Sequence, residues 1–208
     1  MRAGDFQENK IVRMLSRSFD LLVLNILCLI AALPVITAGA SLTALYSVTM
    51  KMVSREEGYI IRDFFRAFRK NLRTGIIETL AAGAVEALIV MDAIIVSHMN
   101  EGTARMIMTG MLLFAELIWL VTVTFLFPLT AISDKGPLEN IRTAAVIPLA
   151  GMPDSLPVIA VTGASVVLTM LNQTTIMFSA VIWVMIGIAA LAYINSQFLC
   201  RILQPYQQ

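Results

Sequence analysis

Glu86 and Glu116 are the side chains best placed to do chemistry, because each lies near the middle of a long apolar stretch. Thr74–Ser97 carries the first and Met106–Ile132 the second, joined by a short polar turn at His98–Arg105. Two helices joined in this way pack antiparallel and bring both carboxyls to similar depth. Neither stretch holds a lysine or arginine to pair with them. A lone carboxylate in hydrocarbon is costly, so at least one of the two is expected to carry a proton. One role is then a proton or cation relay. The other is a neutral acid hydrogen-bonded across helices, with Thr79, Thr109, Thr122 or Thr124 as partner. The second asks less of the chain, since transporters add a broken helix and a wider polar lining. Glu78 and Asp92 lie nearer the ends of their stretch, within reach of headgroups, and are assigned no role.

Other reactive side chains are sparse. Cys28 and Cys200 sit in apolar surroundings and read as free buried thiols. His98, the single histidine, stands beside Asn100 and Glu101 and reads as an interfacial loop residue. The chain has no Gly-x4-Gly-Lys-Ser/Thr phosphate loop and no Ser–His–acid arrangement. No catalytic, cofactor or metal site is expected, and the reading is a non-enzyme.

The elements that position the two acids follow from composition. Of the 208 residues, 58% are hydrophobic and 14% charged, and mean hydropathy is +0.82. An average soluble domain is about 45–50% apolar and about 25% charged. Uncharged runs such as Leu21–Met50 and Ser155–Cys200 exceed the roughly 18 residues that mark a bilayer span. They are continuous rather than alternating, which excludes a β-barrel pattern. The fold class is therefore all-α, a polytopic transmembrane helical bundle of about six membrane segments, read as one integral membrane domain over residues 1–208. A net charge of +1 argues against a nucleic-acid partner.

Residues 1–17 are too charged for a signal peptide and read as a cytoplasmic lead-in, with Phe6, Ile11, Leu15 and Phe19 at helical spacing. The run Leu21–Met50 is broken by Leu33-Pro34 and Gly39, which predicts two short arms, about 18–33 and 38–52, forming a hairpin. In that turn Pro34 and Gly39 redirect the chain and Thr37 satisfies a freed backbone group. Residues 54–73 then form a basic amphipathic helix, with Ile61, Phe64, Phe65, Phe68 and Leu72 on one face. Arg62, Arg66, Arg69, Lys70 and Arg73 fall largely off it. Such a helix either lies among lipid headgroups or docks against a partner, through Arg62, Asp63, Phe64, Phe65, Phe68, Arg69 and Asn71. A connector over 133–155, with a surface helix near 138–150, leads to two last spans, 156–171 and 175–198, joined by Asn172-Gln173-Thr174.

If the first run enters and returns, fourteen of the fifteen Lys and Arg fall on one side of the bilayer and only Arg105 on the other. The positive-inside rule selects that topology, with both termini cytoplasmic.

Ordered motifs run through the N-terminal third: Leu24-Asn25, Leu33-Pro34-Val35-Ile36-Thr37-Ala38-Gly39-Ala40, Thr43-Ala44-Leu45-Tyr46, Arg55-Glu56-Glu57-Gly58-Tyr59 and Arg62-Asp63-Phe64-Phe65-Arg66-Ala67-Phe68-Arg69-Lys70-Asn71. Over about residues 15–75 this resembles the YesL-like family of small bacterial membrane proteins of unknown function. Beyond residue 76 the likeness rests on length and hydropathy. Family members are often associated with carbohydrate-uptake genes. The resemblance implies a bacterial plasma-membrane protein acting as an accessory subunit beside the permease subunits of an oligosaccharide importer. A stand-alone proton-coupled transporter and a membrane sensor or scaffold are the other readings. The oligomeric state is not legible.

The topology is testable in a background lacking Cys28 and Cys200. Ser54→Cys should resist impermeant thiol reagents in intact cells, whereas Asn100→Cys should react. Strong external labelling at position 54 would remove the hairpin.

Overall fold

The helix break at Leu33-Pro34 sets the path of the whole chain. The computed structural model describes residues 3–54, 56, 58–170 and 173–203. The side chains of Phe6 and Ile11, with Arg55, Glu57 and Asn172, lie outside the description. Before the break runs α1 (Ala3–Ala32), and after it α2 (Ala38–Val53). Pro34 is extended, and Val35–Thr37 makes a single 3-10 turn. Thr37 Oγ1 lies 2.7 Å from both Ala31 O and Pro34 O, so the hydroxyl satisfies carbonyls freed by the break, as its position suggested. Gly39 has a different job. It sits in the first turn of α2, and a Cβ there would collide with Thr79 Oγ1 and lie 2.7 Å from Gly75 O and from the Phe127 ring. Pro34 turns the chain; Gly39 lets α2 touch its neighbour.

That neighbour is α3 (Ile60–Ser97), and here the sequence expectation needs correcting. The basic segment and the following apolar span form one helix of 38 residues, not a separate interfacial helix and a span. No proline interrupts it, and Gly75 serves close packing rather than a break. At 1.5 Å per residue it extends about 57 Å.

The remaining elements are α4 (Thr103–Ile132), α5 (Pro137–Ala150), α6 (Met152–Met170), α7 (Gln173–Ile182), a π-helical stretch (Trp183–Gly187) and α8 (Ile188–Ile202). No strand occurs among the described residues. The helices Leu15–Ala32, Ile60–Ser97, Thr103–Ile132 and Ser179–Ile202 are long and apolar enough to cross a membrane. The apolar part of α6, Ser155–Thr169, is shorter. With 16 residues, α2 reaches only about 24 Å against a hydrocarbon core of about 30 Å.

This short helix is the axis of the bundle. It packs against α1, α3, α4 and α8, burying Ala40, Ser41, Ala44, Leu45 and Val48 among its residues. Around it close Leu24 of α1, Phe64 of α3, Phe125, Leu126 and Leu129 of α4, and Leu199 of α8. The core also reaches the predicted surface helix α5, whose Ala144 and Ile147 are buried against it. Beyond the hairpin tip the helices change character. From Leu80 onward α3 buries only Val96, and α4 buries nothing before Thr122. The bundle therefore has a packed half around α2 and an outer half in which the α3–α4 hairpin presents apolar side chains outward.

The contact between α2 and α3 is tight enough to test. A Cβ on Gly75 would meet Ala40 N at 2.5 Å and Ala40 Cα at 2.6 Å, so backbone itself must move. Gly75→Ala should cost about 1–3 kcal/mol by overpacking, read as a lower midpoint of thermal unfolding in detergent. Gly83→Ala, which meets nothing, is the matched control.

Candidate functional site

Antiparallel packing of α3 and α4 does bring Glu86 and Glu116 to one place. Both line a groove of about 410 Å³ between the outer halves of these helices, with Ile89, Ala93, Leu112 and Leu113 as walls. Arg105 and Ser97 stand on the same groove, so the base assigned to the loop shares the site. The groove is open, and Glu86 is exposed. The expected threonine partners do not reach the acids. Thr79, Thr109, Thr122 and Thr124 each donate to the carbonyl four residues back in their own helix, at 2.7–2.9 Å. Among the described residues neither carboxyl has a hydrogen-bond partner.

The acid that is sequestered is Glu78, which the sequence reading passed over as able to reach headgroups. It is fully buried. Thr130 Oγ1, near the end of α4, lies 2.9 Å from both of its carboxyl oxygens. Asn140 Nδ2, in the first turns of α5, donates to Glu78 Oε1 at 3.1 Å and to Thr130 Oγ1 at 3.2 Å. The three side chains come from three helices, so no local spacing announces them. The available signal is the coincidence of one acid on α3 with Thr130 at the end of the next apolar run and Asn140 in the connector after it.

A second polar knot centres on Asn25, quoted above as part of a motif without a role. It is fully buried. Its Nδ2 donates to Trp183 O at 3.1 Å and Val184 O at 2.7 Å, and its Oδ1 accepts from Ala189 N at 3.0 Å. A π-helical stretch shifts the hydrogen-bond register and loosens carbonyls and amides from their usual partners. One amide side chain from α1 supplies a donor to that stretch and an acceptor to Ala189 just beyond it. Close by, Thr49 and Ser196 share a hydrogen bond of 2.8 Å between α2 and α8, and Ser41 donates to Cys28 O at 2.7 Å.

The residues proposed for docking divide by direction. Phe64 is fully buried and stacks on Phe68, their centroids 6.2 Å apart. Asn71 is buried and bonds back to Ala67 O. Asp63 points toward Lys51 at 3.9 Å and Arg66 at 3.6 Å. Phe64 and Asn71 are buried in the packed half, and Asp63 and Phe68 are half-buried at its edge. Arg62, Phe65, Arg66, Arg69 and Arg73 remain exposed. Their spacing of three and four residues lines them along one side of α3. Lys70 turns aside to Asp134, 2.8 Å away, and its hydrogen bond and charge hold the exposed Asp134 carboxyl below the usual carboxylate range. That pair is present above the depressed range and is lost as pH falls through it. Among the described residues no three His, Cys, Asp or Glu side chains gather as metal ligands.

Residues 21–93 match the model of a family described as a protein of unknown function, DUF624. The matched stretch runs from α1 through the hairpin and α2 to the outer half of α3. No curated protein matches the chain. No solved structure matches it.

Asn25→Leu should loosen the π-helical stretch by orphaning two carbonyls and an amide, at about 1–3 kcal/mol each at most. The expected result is faster hydrogen exchange at Trp183–Ala189 with little change in α3. Unchanged exchange there would assign the π stretch to the α6–α7 contacts instead.

Proposed function

We propose that this chain is a non-enzymatic membrane subunit of the YesL-like kind, both termini cytoplasmic, that assists a carbohydrate importer in a bacterial plasma membrane. The observation that carries the partner reading is the continuity of α3. A basic amphipathic helix lying flat would bring all its arginines to the headgroups. In a helix that runs straight on into a span, the side from Arg62 to Arg73 is instead directed along the span for about 16 Å. Each headgroup layer of a bilayer is only about 5–8 Å deep. Headgroups therefore serve the arginines nearest the membrane, and the others extend into the aqueous phase beside Phe65 and Tyr59, both exposed. A protein surface of acidic character suits that strip better than lipid does.

The choice of a carbohydrate importer as partner comes from the resemblance alone. YesL-like proteins fall within the DUF624 family, whose described function is unknown. The stand-alone transporter draws less support, because Glu86 and Glu116 line an open groove rather than an enclosed path. A sensor or scaffold would use the same strip with a cytosolic regulator in place of a permease.

A mild-detergent pull-down from native membranes, comparing wild type with Arg62→Glu plus Arg69→Glu, tests this. Membrane insertion should persist, while co-purification of permease subunits should fall at least about tenfold, equivalent to 1.4 kcal/mol. Added salt should weaken the wild-type association in the same direction. Asp63→Ala and Asn71→Ala should lower the unfolding midpoint instead, since both frame the fold. Recovery of cytosolic regulators without a permease would favour the sensor, and recovery of no transporter subunit would end the importer reading.

A further inference from the structure

The Glu78 cluster is short of one positive charge. Thr130 has a single hydroxyl proton, yet three acceptors surround its oxygen: Glu78 Oε1 and Oε2 at 2.9 Å and Leu126 O at 3.0 Å. Among the described residues the other side-chain donor is Asn140, through Nδ2. Its Oδ1, on the same amide that touches the carboxyl, is buried with no hydrogen-bond partner. Among the described residues no base forms an ion pair with the acid. On α3 the neighbouring charges are Arg73 and Glu86, both exposed. Between Glu116 and Asp134, α4 has no charged residue. Glu139 and Arg142 of α5 are exposed, the former paired with Lys135, and α2 offers only Lys51, which faces Asp63. A fully buried carboxylate left without a counter-charge is strongly disfavoured.

We infer that the Glu78 carboxyl, with Thr130 and Asn140, is a binding site for one monovalent cation, a proton or a sodium ion. A proton completes the count directly. Glu78 then donates to Thr130 Oγ1, Thr130 donates to Leu126 O, and Asn140 keeps its bond to the other carboxyl oxygen. A sodium ion would instead be met by the two carboxyl oxygens, Thr130 Oγ1 and Asn140 Oδ1. That requires turning the amide by a half rotation about its Cβ–Cγ bond, which exchanges Nδ2 and Oδ1. A divalent ion does not suit the set, because it holds one carboxylate and, among the described residues, no second acid, histidine or thiol joins it. The three donors belong to α3, α4 and α5, so an occupied site fastens α5 and the connector beneath the α3–α4 pair. The site stands apart from the basic strip, and its failure would leave the importer reading untouched.

The test is thermal unfolding of the purified full-length protein in neutral detergent, followed by Trp119 and Trp183 emission. Sodium chloride is replaced by choline chloride at constant ionic strength, at mildly acid and mildly alkaline pH. Loading should raise the wild-type midpoint by roughly 3–5 °C for each tenfold excess of cation over its Kd. A response to sodium at alkaline pH identifies the ion, and a response to acid alone identifies the proton. Glu78→Gln carries its neutral amide permanently, so it should unfold near the midpoint of the loaded wild type and answer to neither. Glu86→Gln should keep the wild-type response. Wild type and Glu78→Gln moving together under both changes would overturn the site. Where Glu78→Gln does not accumulate, Thr130→Val must lower the apparent cation affinity at least about tenfold, and an unchanged affinity overturns it equally.

Discussion

The contact on which the rest of this bundle depends is backbone against backbone, where α2 crosses α3. Gly39 N donates to Thr79 Oγ1 at 2.9 Å, and Thr79 Oγ1 donates to Gly75 O at 2.7 Å. Neither glycine leaves room for a Cβ. In a bilayer, lipid is as apolar as leucine, so helices associate through close packing and buried hydrogen bonds rather than by expulsion of water. Two glycines facing each other, with one threonine hydroxyl bridging them, use both. The rest of α2 then lies along α3 from Thr79 back to Asp63, and α1, α4 and α8 close around it.

This contact also sets where the hairpin stops. The tip at Leu33, Val35 and Ile36 is exposed and apolar, level with the middle of α3 rather than with its far end. Residues beyond the tip lack an inner helix to cover them, so the outer halves of α3 and α4 meet each other and otherwise face outward. Exposure of leucine, isoleucine and methionine there suits a lipid solvent, where it would be a liability in water. The same division explains why polar side chains concentrate in the packed half. Asn25, Thr49, Glu78, Thr130, Asn140 and Ser196 are all buried there, each tying one helix to another or to an irregular stretch.

The proposed docking role rests on the same division. The packed half holds its charge-bearing strip rigidly on the continuation of a span, and Phe64, Asp63 and Asn71 fix the helix from behind. The outer groove with Glu86 and Glu116 is shaped by only two helices. A surface meant for a partner is better presented by the first arrangement, since rigid presentation lowers the ordering cost of association.

Much was legible from residues alone. Hydropathy and uncharged run length specify a helical membrane protein, because each backbone polar group in lipid must be satisfied within its own helix. Proline's missing N–H and fixed φ place the turn at Pro34, and Thr37 completes it locally. Helical periodicity identifies the basic face of residues 60–73. Other features depended on distance in the sequence. That Gly39 serves contact rather than bending is decided by Gly75, on another helix. The acids in the middle of apolar runs, Glu86 and Glu116, turn out exposed to a groove, while Glu78 is the buried one, because burial depends on which helix covers a position and not on its depth along its own. The inward turn of Asp63, Phe64 and Asn71 likewise needed α2 beside α3. Local chemistry determined what each segment can form; only the crossing of α2 and α3 decided which side chains it encloses.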